Sequence, residues 1–392
     1  MAADWGAADE QSLLAAVATA LAGAPPYELP ERLQSAVRGV DPTATCVLHL
    51  LDHRAARLVP VGDVLARAHG VDGTDHGRCL VAQEVVSSTA SPLAVLVPVT
   101  VRGDRLGVLE VHDCRVPSRT LLRVAEVLAM ALASVGTVTD RYVVAKRWES
   151  LTLAAEMQWD KLPGRSLSVP YADVAGHLEP AYRVVGDTYD WTVDGTGLQA
   201  VVVDGSGYGT HAAGSTAFTV AALRNARREG ADLAGQARLA DQAVHARFHG
   251  ELSASAVLLD VDVASGVLRY CLAGSGGLVL VREDGAELVE GGEHPPLGAD
   301  EDHPYTAVAV PAGPVRRVVL VSDGALDAGD SEQRSRRWLL DCLADLAETP
   351  APETVRVAVE RLRQVHAGQP LSDDAVVVCL DLRAGPGALT GT

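Results

Sequence analysis

Apolar positions fall into two regimes along this chain. Up to about residue 160 they follow helical spacing or mark a few long strands, and beyond that they come in short β-branched runs cut by Gly and Asp. Residues 12–21 are apolar-rich and predict a helix, ended by Pro25 and Pro26. Residues 45–51, 94–101 and 105–111 predict strands, the last two joined as a hairpin through Arg102-Gly103-Asp104. With a Gly- and Asp-rich middle loop and a last helix running on to about 135, residues 1–117 read as an α+β unit of sensor size.

Helical spacing is longest over 118–159. Leu122 and Met130 lie near a stripe of Val124, Val127, Leu128, Ala131, Leu132 and Val135, which Gly136 and Thr137 interrupt. Beyond the break, Tyr142, Val143, Trp148, Leu151, Leu153, Ala154, Met157 and Trp159 carry more apolar surface than a solvated linker needs. Residues 118–164 are therefore expected to form a helical linker. Its apolar surplus is met either by docking on the flanking domains or by a parallel homodimer seam, although strict heptads are not sustained.

From 168 to 382, strands are predicted over 174–178, 198–203, 255–261, 267–273, 278–281, 315–321 and 375–382. Helices are predicted over 211–228, 233–248, 331–347 and 353–366. Turns such as Ala264-Ser265-Gly266 and Glu283-Asp284-Gly285 join consecutive strands, which favours antiparallel sheets with helices on their outer faces. The Gly/Ala/Thr-rich tail after Arg383 is expected to fray.

Four aspartate-bearing turns punctuate this region: Gly186-Asp187, Asp204-Gly205-Ser206-Gly207, Ser322-Asp323-Gly324 and Asp373-Asp374. The last three adjoin apolar runs, so their acids are expected where strands break or begin, at one rim of a sheet. Two carboxylates about 4 Å apart repel by roughly 4 kcal/mol at an effective dielectric near 20. Oxygen-only ligands that gather in spite of this select hard cations such as Mg²⁺ or Mn²⁺. Any single Asp-Gly pair is more often an ordinary turn.

Composition narrows the partners. A length of 392 residues favours two domains, and the formal charge of −18 argues against nucleic acid and supplies no basic stripe for a membrane surface. The six cysteines are scattered without a Cys-x-x-Cys pair, so neither a zinc ribbon nor a disulfide framework is expected. The acidic N-terminus lacks a signal pattern and no apolar run approaches membrane-span length, which predicts a cytoplasmic protein.

In order, Val185-Gly186-Asp187-Thr188-Tyr189-Asp190, Asp204-Gly205-Ser206-Gly207-Tyr208-Gly209 with Ala212-Ala213, Ala273-Gly274, Pro296-Leu297-Gly298, Ser322-Asp323-Gly324 and Asp373-Asp374 resemble the PPM (PP2C-like) phosphatases, nearest the bacterial SpoIIE/RsbU branch. The resemblance covers about 165–382, and the segment from Leu153 to Trp159 followed by Leu162-Pro163 looks like the linker before such domains. The N-terminal unit is similar to a GAF domain. The fold implied is α+β: a PP2C-like antiparallel β-sandwich flanked by helices over 165–392, a GAF-like sensor domain over 1–117, and the helical linker between them.

Carried onto this sequence, the resemblance implies that Asp204 bridges two metals while the Gly205 carbonyl ligates one. It implies that Asp323 and Asp373 ligate the other, and that Asp187 holds a metal or its water. Asp190 and Asp374 would orient ligands or waters. The catalytic set is thus Asp187, Asp204, Asp323 and Asp373, with two Mn²⁺ or Mg²⁺ ions. Glycine beside Asp204 and Asp323 is expected to give the backbone room and positive φ.

The function implied is a metal-dependent protein serine/threonine phosphatase acting through a two-metal-activated water, regulated by the GAF-like domain. Its expected partner is a phosphorylated STAS anti-anti-sigma factor, with a homodimer through the linker. Val185, Tyr208, Ser275 and Val376 depart from the family pattern, which leaves a pseudo-phosphatase that binds a phosphoprotein without turnover as the alternative. Competing motifs fail: neither a dinucleotide fingerprint nor a nucleophile elbow is present. His211, His245, His249 and His294 are read as surface or packing residues, with His294 the one most suited to face the site. His49, His53, His69, His76 and Cys79 are residue types of a haem or metal sensor, but strand alternation accounts for His49 and the others fall in expected loops.

Overall fold

The computed structural model describes residues 5–62, 67–91, 94–147, 152–181, 186–283, 285–291, 294–328, 331–367, 369 and 371–383. The chain divides into two compact units, 1–150 and 151–392.

The first unit runs α1 (Ala7–Ala22), α2 (Leu29–Val40), β1 (Thr45–Leu51), β2 (Arg57–Pro60), β3 (His69–Gly70), α3 (Asp75–Ala82), β4 (Val86–Ser87), β5 (Ala94–Val101), β6 (Asp104–His112), α4 (Ser118–Val135) and α5 (Arg141–Ala145). Its strands form one antiparallel sheet in the order β3-β2-β1-β6-β5-β4. Period-two alternation sends Leu48, Leu50, Leu109 and Val111 to one face, where α1, α2 and α4 bury Leu13, Val17, Leu33, Leu121 and Leu128 against them. The opposite face carries Leu51, Leu58, Leu96 and Val108 in a smaller cluster with Cys79 and Leu80 of α3.

The interruption expected at Gly136 divides the segment 118–164. α4 belongs to the first unit, because Val124, Ala125, Leu128 and Leu132 are part of its core. Among the described residues the chain breaks after Val135 and resumes helix in the five-residue α5 and in α6 (Leu153–Trp159) of the second unit. Trp148 and Leu151 lie outside the described residues.

After α6 the second unit runs β7 (Ser166–Val169), β8 (Ala172–Glu179), β9 (Thr188–Val193), β10 (Gly197–Gly205), α7 (Gly209–Arg228), α8 (Leu233–Phe248), β11 (Ala254–Asp262), β12 (Val267–Ala273), β13 (Gly277–Arg282), β14 (Gly285–Glu290), β15 (Val308–Pro311), β16 (Val315–Val321), a 3₁₀ turn (Asp323–Leu326), α9 (Glu332–Asp345), α10 (Ala351–Val365) and β17 (Ala375–Leu382). Two antiparallel sheets result, ordered β15-β12-β11-β10-β9 and β14-β13-β16-β17-β8-β7.

Their β-branched runs are buried on both faces, and this sets the layering. Inward side chains such as Val202, Leu259, Leu320, Val376 and Val378 fill the space between the sheets. Val203, Ala256 and Cys271 face α7 and α8, while Val319, Val377 and Cys379 face α9 and α10. The expected antiparallel sandwich flanked by helices is what the chain forms.

One buried cation ties the outer layer to the sheet. Arg317 of β16, 5 % exposed, reaches Asp381 Oδ1 at 2.6 Å and donates to the Leu346 carbonyl at 2.7 Å and the Thr349 carbonyl at 2.5 Å. Asp381 Oδ2 accepts from Ala351 N at 2.7 Å, so the pair pins the α9–α10 connection to β16 and β17. Arg317→Ala leaves these acceptors without their donor and is expected to destabilise the second unit by about 2–3 kcal/mol in urea unfolding. Arg32→Ala, which removes an exposed pair with Glu28, is expected to cost less than about 1 kcal/mol.

Candidate active site

The sandwich brings four strand ends to one rim. Asp187 immediately precedes β9, Asp204 is the penultimate residue of β10, Asp323 follows β16 at the start of the 3₁₀ turn, and Asp373 precedes β17. Two of these strands belong to each sheet, so carboxylates far apart in sequence face one another where the sheets end.

Their mutual repulsion is visible in their acidities. Burial, then the charges of Asp323 and Asp373, pushes Asp204 up to about 7. Burial, then Asp323, pushes Asp373 up to about 6. Asp187 is fully buried and raised well above the usual carboxylate range by that burial, then by Asp204 and Asp374. The Ser322 hydroxyl opposes this without reaching hydrogen-bond geometry, for neither Asp187 oxygen has a hydrogen-bond partner among the described residues. Asp323 Oδ1 is likewise buried and unpartnered.

Orphaned buried oxygens and uncompensated like charges are what a hard divalent cation satisfies. The donor set fits such a metal. Three or more ligand atoms mutually within 4.8 Å occur among the described residues at a histidine cluster in the other unit and not among these aspartates.

A second acid builds the frame. Asp374, fully buried, accepts from Gln158 Nε2 at 2.8 Å, Ala181 N at 2.7 Å, Gly186 N at 3.0 Å and Asp187 N at 3.4 Å. Gln158 also donates to the Asp187 carbonyl at 3.0 Å, which links α6 to the loop that carries Asp187. Asp374 therefore holds backbone in place, as an orienting role requires. Asp190 does not join it. Its carboxylate is clasped by Arg224 at 2.8 and 3.0 Å and by Arg227 at 3.4 Å, which anchors α7 on β9.

Gly205 and Gly324 are needed for space rather than for positive φ. A Cβ on Gly205 would meet Thr216 Oγ1 at 2.1 Å, and one on Gly324 would meet the Asp374 carbonyl at 2.0 Å. Neither has the left-handed backbone expected from its sequence neighbourhood.

Among the departures from the family pattern, Ser275 faces the site. Its hydroxyl donates to Asp204 Oδ2 at 3.3 Å and contacts Ser255 Oγ at 2.9 Å. Val376 is buried in the apolar layer between the sheets, and Tyr208 is 69 % exposed. Val185 lies outside the described residues. Pro296-Leu297-Gly298 acts as a clasp: Leu297 exchanges hydrogen bonds with Ala254, and Gly298 N donates to Asp241 of α8 at 2.7 Å. His294 contacts His303 and Thr306, each at 3.0 Å, and His245 contacts the Gly298 carbonyl at 3.1 Å.

Weakened acidities predict a pH signature for the metal-free protein. The fold favours the protonated carboxyls, so their contribution is fully present below the ordinary carboxylate range and is lost as pH rises through about 6 to 7. In chelator, urea stability of the second unit is expected to fall by a few kcal/mol between about pH 5 and pH 8, and Asp204→Asn should flatten that fall. An equally steep fall in the variant would contradict the assignment.

Residues 194–383 match the family model described as Stage II sporulation protein E (SpoIIE). Asp204, Asp323, Asp373 and Asp374 lie inside the match, while Asp187 and Asp190 precede it. Solved structures that resemble the chain include the RsbU and RsbW domains of a Mycobacterium tuberculosis protein, at 25% identity and TM-score 0.48, covering 56% of this chain and 63% of that chain. The chain thus spans less than two thirds of that structure. The SiaA-PP2C domain of Pseudomonas aeruginosa follows at 24% identity and TM-score 0.46, covering 54% and 86%. The phosphatase domain of SpoIIE from Bacillus subtilis, with a fragment of its regulatory domain, is 18% identical with TM-score 0.45, covering 53% and 63%. With Asp204, Asp323 and Asp373 of the rim inside the matched segment, residues 194–383 form a SpoIIE-type, PP2C-like phosphatase domain.

Proposed function

We propose that this chain hydrolyses phosphoserine or phosphothreonine in a phosphoprotein, with two Mn²⁺ or Mg²⁺ ions held by Asp187, Asp204, the Gly205 carbonyl, Asp323 and Asp373. The observation that carries this reading is the meeting of four buried or half-buried carboxylates at one sandwich rim, with orphaned oxygens on Asp187 and Asp323. A pair of divalent ions supplies a nucleophilic water at neutral pH and neutralises charge on the phosphoryl group.

The chain's own work is to hold acceptors still. Asp204, at a strand end in the middle of the rim, is steadied by the Ser275 hydroxyl. Asp374 fixes the backbone of Gly186 and Asp187 through its Oδ2, so Asp187 is oriented by main chain rather than by its own side-chain partners. The Ser322 hydroxyl accepts from Val376 N at 2.9 Å and ties the Asp323 turn to β17, on which Asp373 and Asp374 enter the site. Such outer contacts typically contribute 10–100-fold to metal affinity or activity.

The substrate we propose is a phosphorylated STAS anti-anti-sigma factor, which rests on the match to the SpoIIE family. We further propose that the N-terminal unit is a GAF-like sensor regulating this activity, and that the protein works as a cytoplasmic homodimer. Met130, Val138, Val144 and Leu153, all more than half exposed, supply apolar surface in the segment proposed for that contact. Among the described residues no helix is long and apolar enough to cross a membrane.

Purified full-length protein is expected to hydrolyse p-nitrophenyl phosphate and a phosphoserine peptide when Mn²⁺ is added, and to stop when it is chelated. Asp204→Asn and Asp323→Asn should each lower the rate by more than about 100-fold while the circular dichroism is kept. Tight phosphoprotein binding by calorimetry with no metal-stimulated turnover would support the pseudo-phosphatase instead.

A further inference from the structure

A separate group of ligand-type side chains converges in the N-terminal unit. His49 comes from β1, His69 from β3, His76 from the first turn of α3 and Glu110 from β6. Antiparallel pairing sets His49 opposite Val108 and Val47 opposite Glu110, so His49 and Glu110 are diagonal neighbours on one face. Leu58, opposite both Leu51 and His69, carries the same face across to β3. That face is the one α3 covers, and Thr74 caps α3 by accepting from Gly77 N at 3.0 Å, which fixes the turn bearing His76.

One ligand atom from each of the four residues lies within 4.8 Å of all the others. Glu110 Oε2 is 2.9 Å from His49 Nε2 and 3.2 Å from His76 Nε2, and Oε1 is 3.2 Å from His112 Nε2. The rings of His69 and His76 stack at 3.7 Å with 9° between planes, and His49 meets them edge-on at 5.3 and 5.0 Å. His49 is 1 % exposed and His76 5 %, and the Nδ1 of His49 is buried with no partner among the described residues.

A lone carboxylate can balance one imidazolium, yet the imidazoles of His49, His69 and His76, with His112 beyond them, crowd around this one. Their lone pairs are satisfied together by a cation that takes nitrogen and oxygen donors. Imidazole donors suit zinc and its first-row neighbours, whereas Mg²⁺ and Ca²⁺ prefer oxygen alone. A haem uses axial ligands on opposite sides of a broad ring, so four donors gathered this closely fit a bare ion. Zinc–nitrogen bonds of about 2.0–2.1 Å in a tetrahedron place donors roughly 3.3 Å apart, a small side-chain adjustment away. We infer that His49, His69, His76 and Glu110 form a binding site for a divalent transition-metal ion of the zinc class.

The test uses the full chain carrying Asp204→Asn and Asp323→Asn, stripped with chelator and titrated with Co²⁺ under visible absorption and with Zn²⁺ by calorimetry. If those substitutions disturb folding, the wild-type chain in excess Mg²⁺ serves the same purpose. The expected result is one equivalent bound, with the visible bands of Co²⁺ coordinated by nitrogen and oxygen, undisturbed by Mg²⁺. His69→Gln, at a half-exposed ligand, is expected to weaken binding by at least about 10-fold, and His76→Gln likewise where circular dichroism reports a folded chain. Absence of stoichiometric binding, affinity unchanged by His69→Gln, or bands lost to Mg²⁺ would each overturn the site and leave a hydrogen-bonded His–Glu cluster.

Discussion

Like charges held together without a counter-ion govern the C-terminal unit. Asp187, Asp204, Asp323 and Asp373 stand at the ends of β9, β10, β16 and β17; the last three strands are fixed by apolar packing on both faces, and β9 by Tyr189 on one face and the Asp190–arginine contacts on the other. Neither sheet can relax outward to separate the acids without exposing that core. The repulsion is therefore built in and, together with burial, it weakens the acidity of Asp187, Asp204 and Asp373. A divalent ion held there would turn the same arrangement from a liability into a source of stability, because it would bind the native state and not the unfolded chain.

Asp374 is what makes the arrangement geometric rather than merely acidic. It gathers donors from α6, from Ala181 and from the Gly186–Asp187 backbone onto one buried carboxylate. Gly205 and Gly324 complete the frame by letting Thr216 and the Asp374 carbonyl approach where any Cβ would collide. The adjacent aspartates 373 and 374 thus divide the labour: one lies half-buried at the rim, and its neighbour turns inward to hold the backbone.

Much of this was legible from the chain. Runs such as 198–203, 315–321 and 375–382 are strands because β-branched residues buried on both faces leave a strong signal, and the Asp-Gly turns beside them mark the rim. Edge strands escaped: β14 and β15 have largely exposed faces and short, mixed sequences, and β9 is interrupted by Thr188, Asp190 and Thr192. The helix α2 could have been found from Leu29, Leu33 and Val37, spaced by four along one face. Contacts such as Gln158 to Asp374, 216 residues apart, have no local signature. For the same reason Asp190 reads as a site acid in sequence while its arginine partners sit a helix away. His69 and His76 looked like loop residues because β3 is two residues long and α3 only eight.

The most direct test of the central claim is an anomalous-scattering map from crystals grown with Mn²⁺. The account predicts two peaks roughly 3.5–4 Å apart at the sandwich rim, with Asp204 between them and Asp187, Asp323 and Asp373 around them. A rim without peaks, or manganese bound only at other surfaces while the four carboxylates point apart, would contradict it.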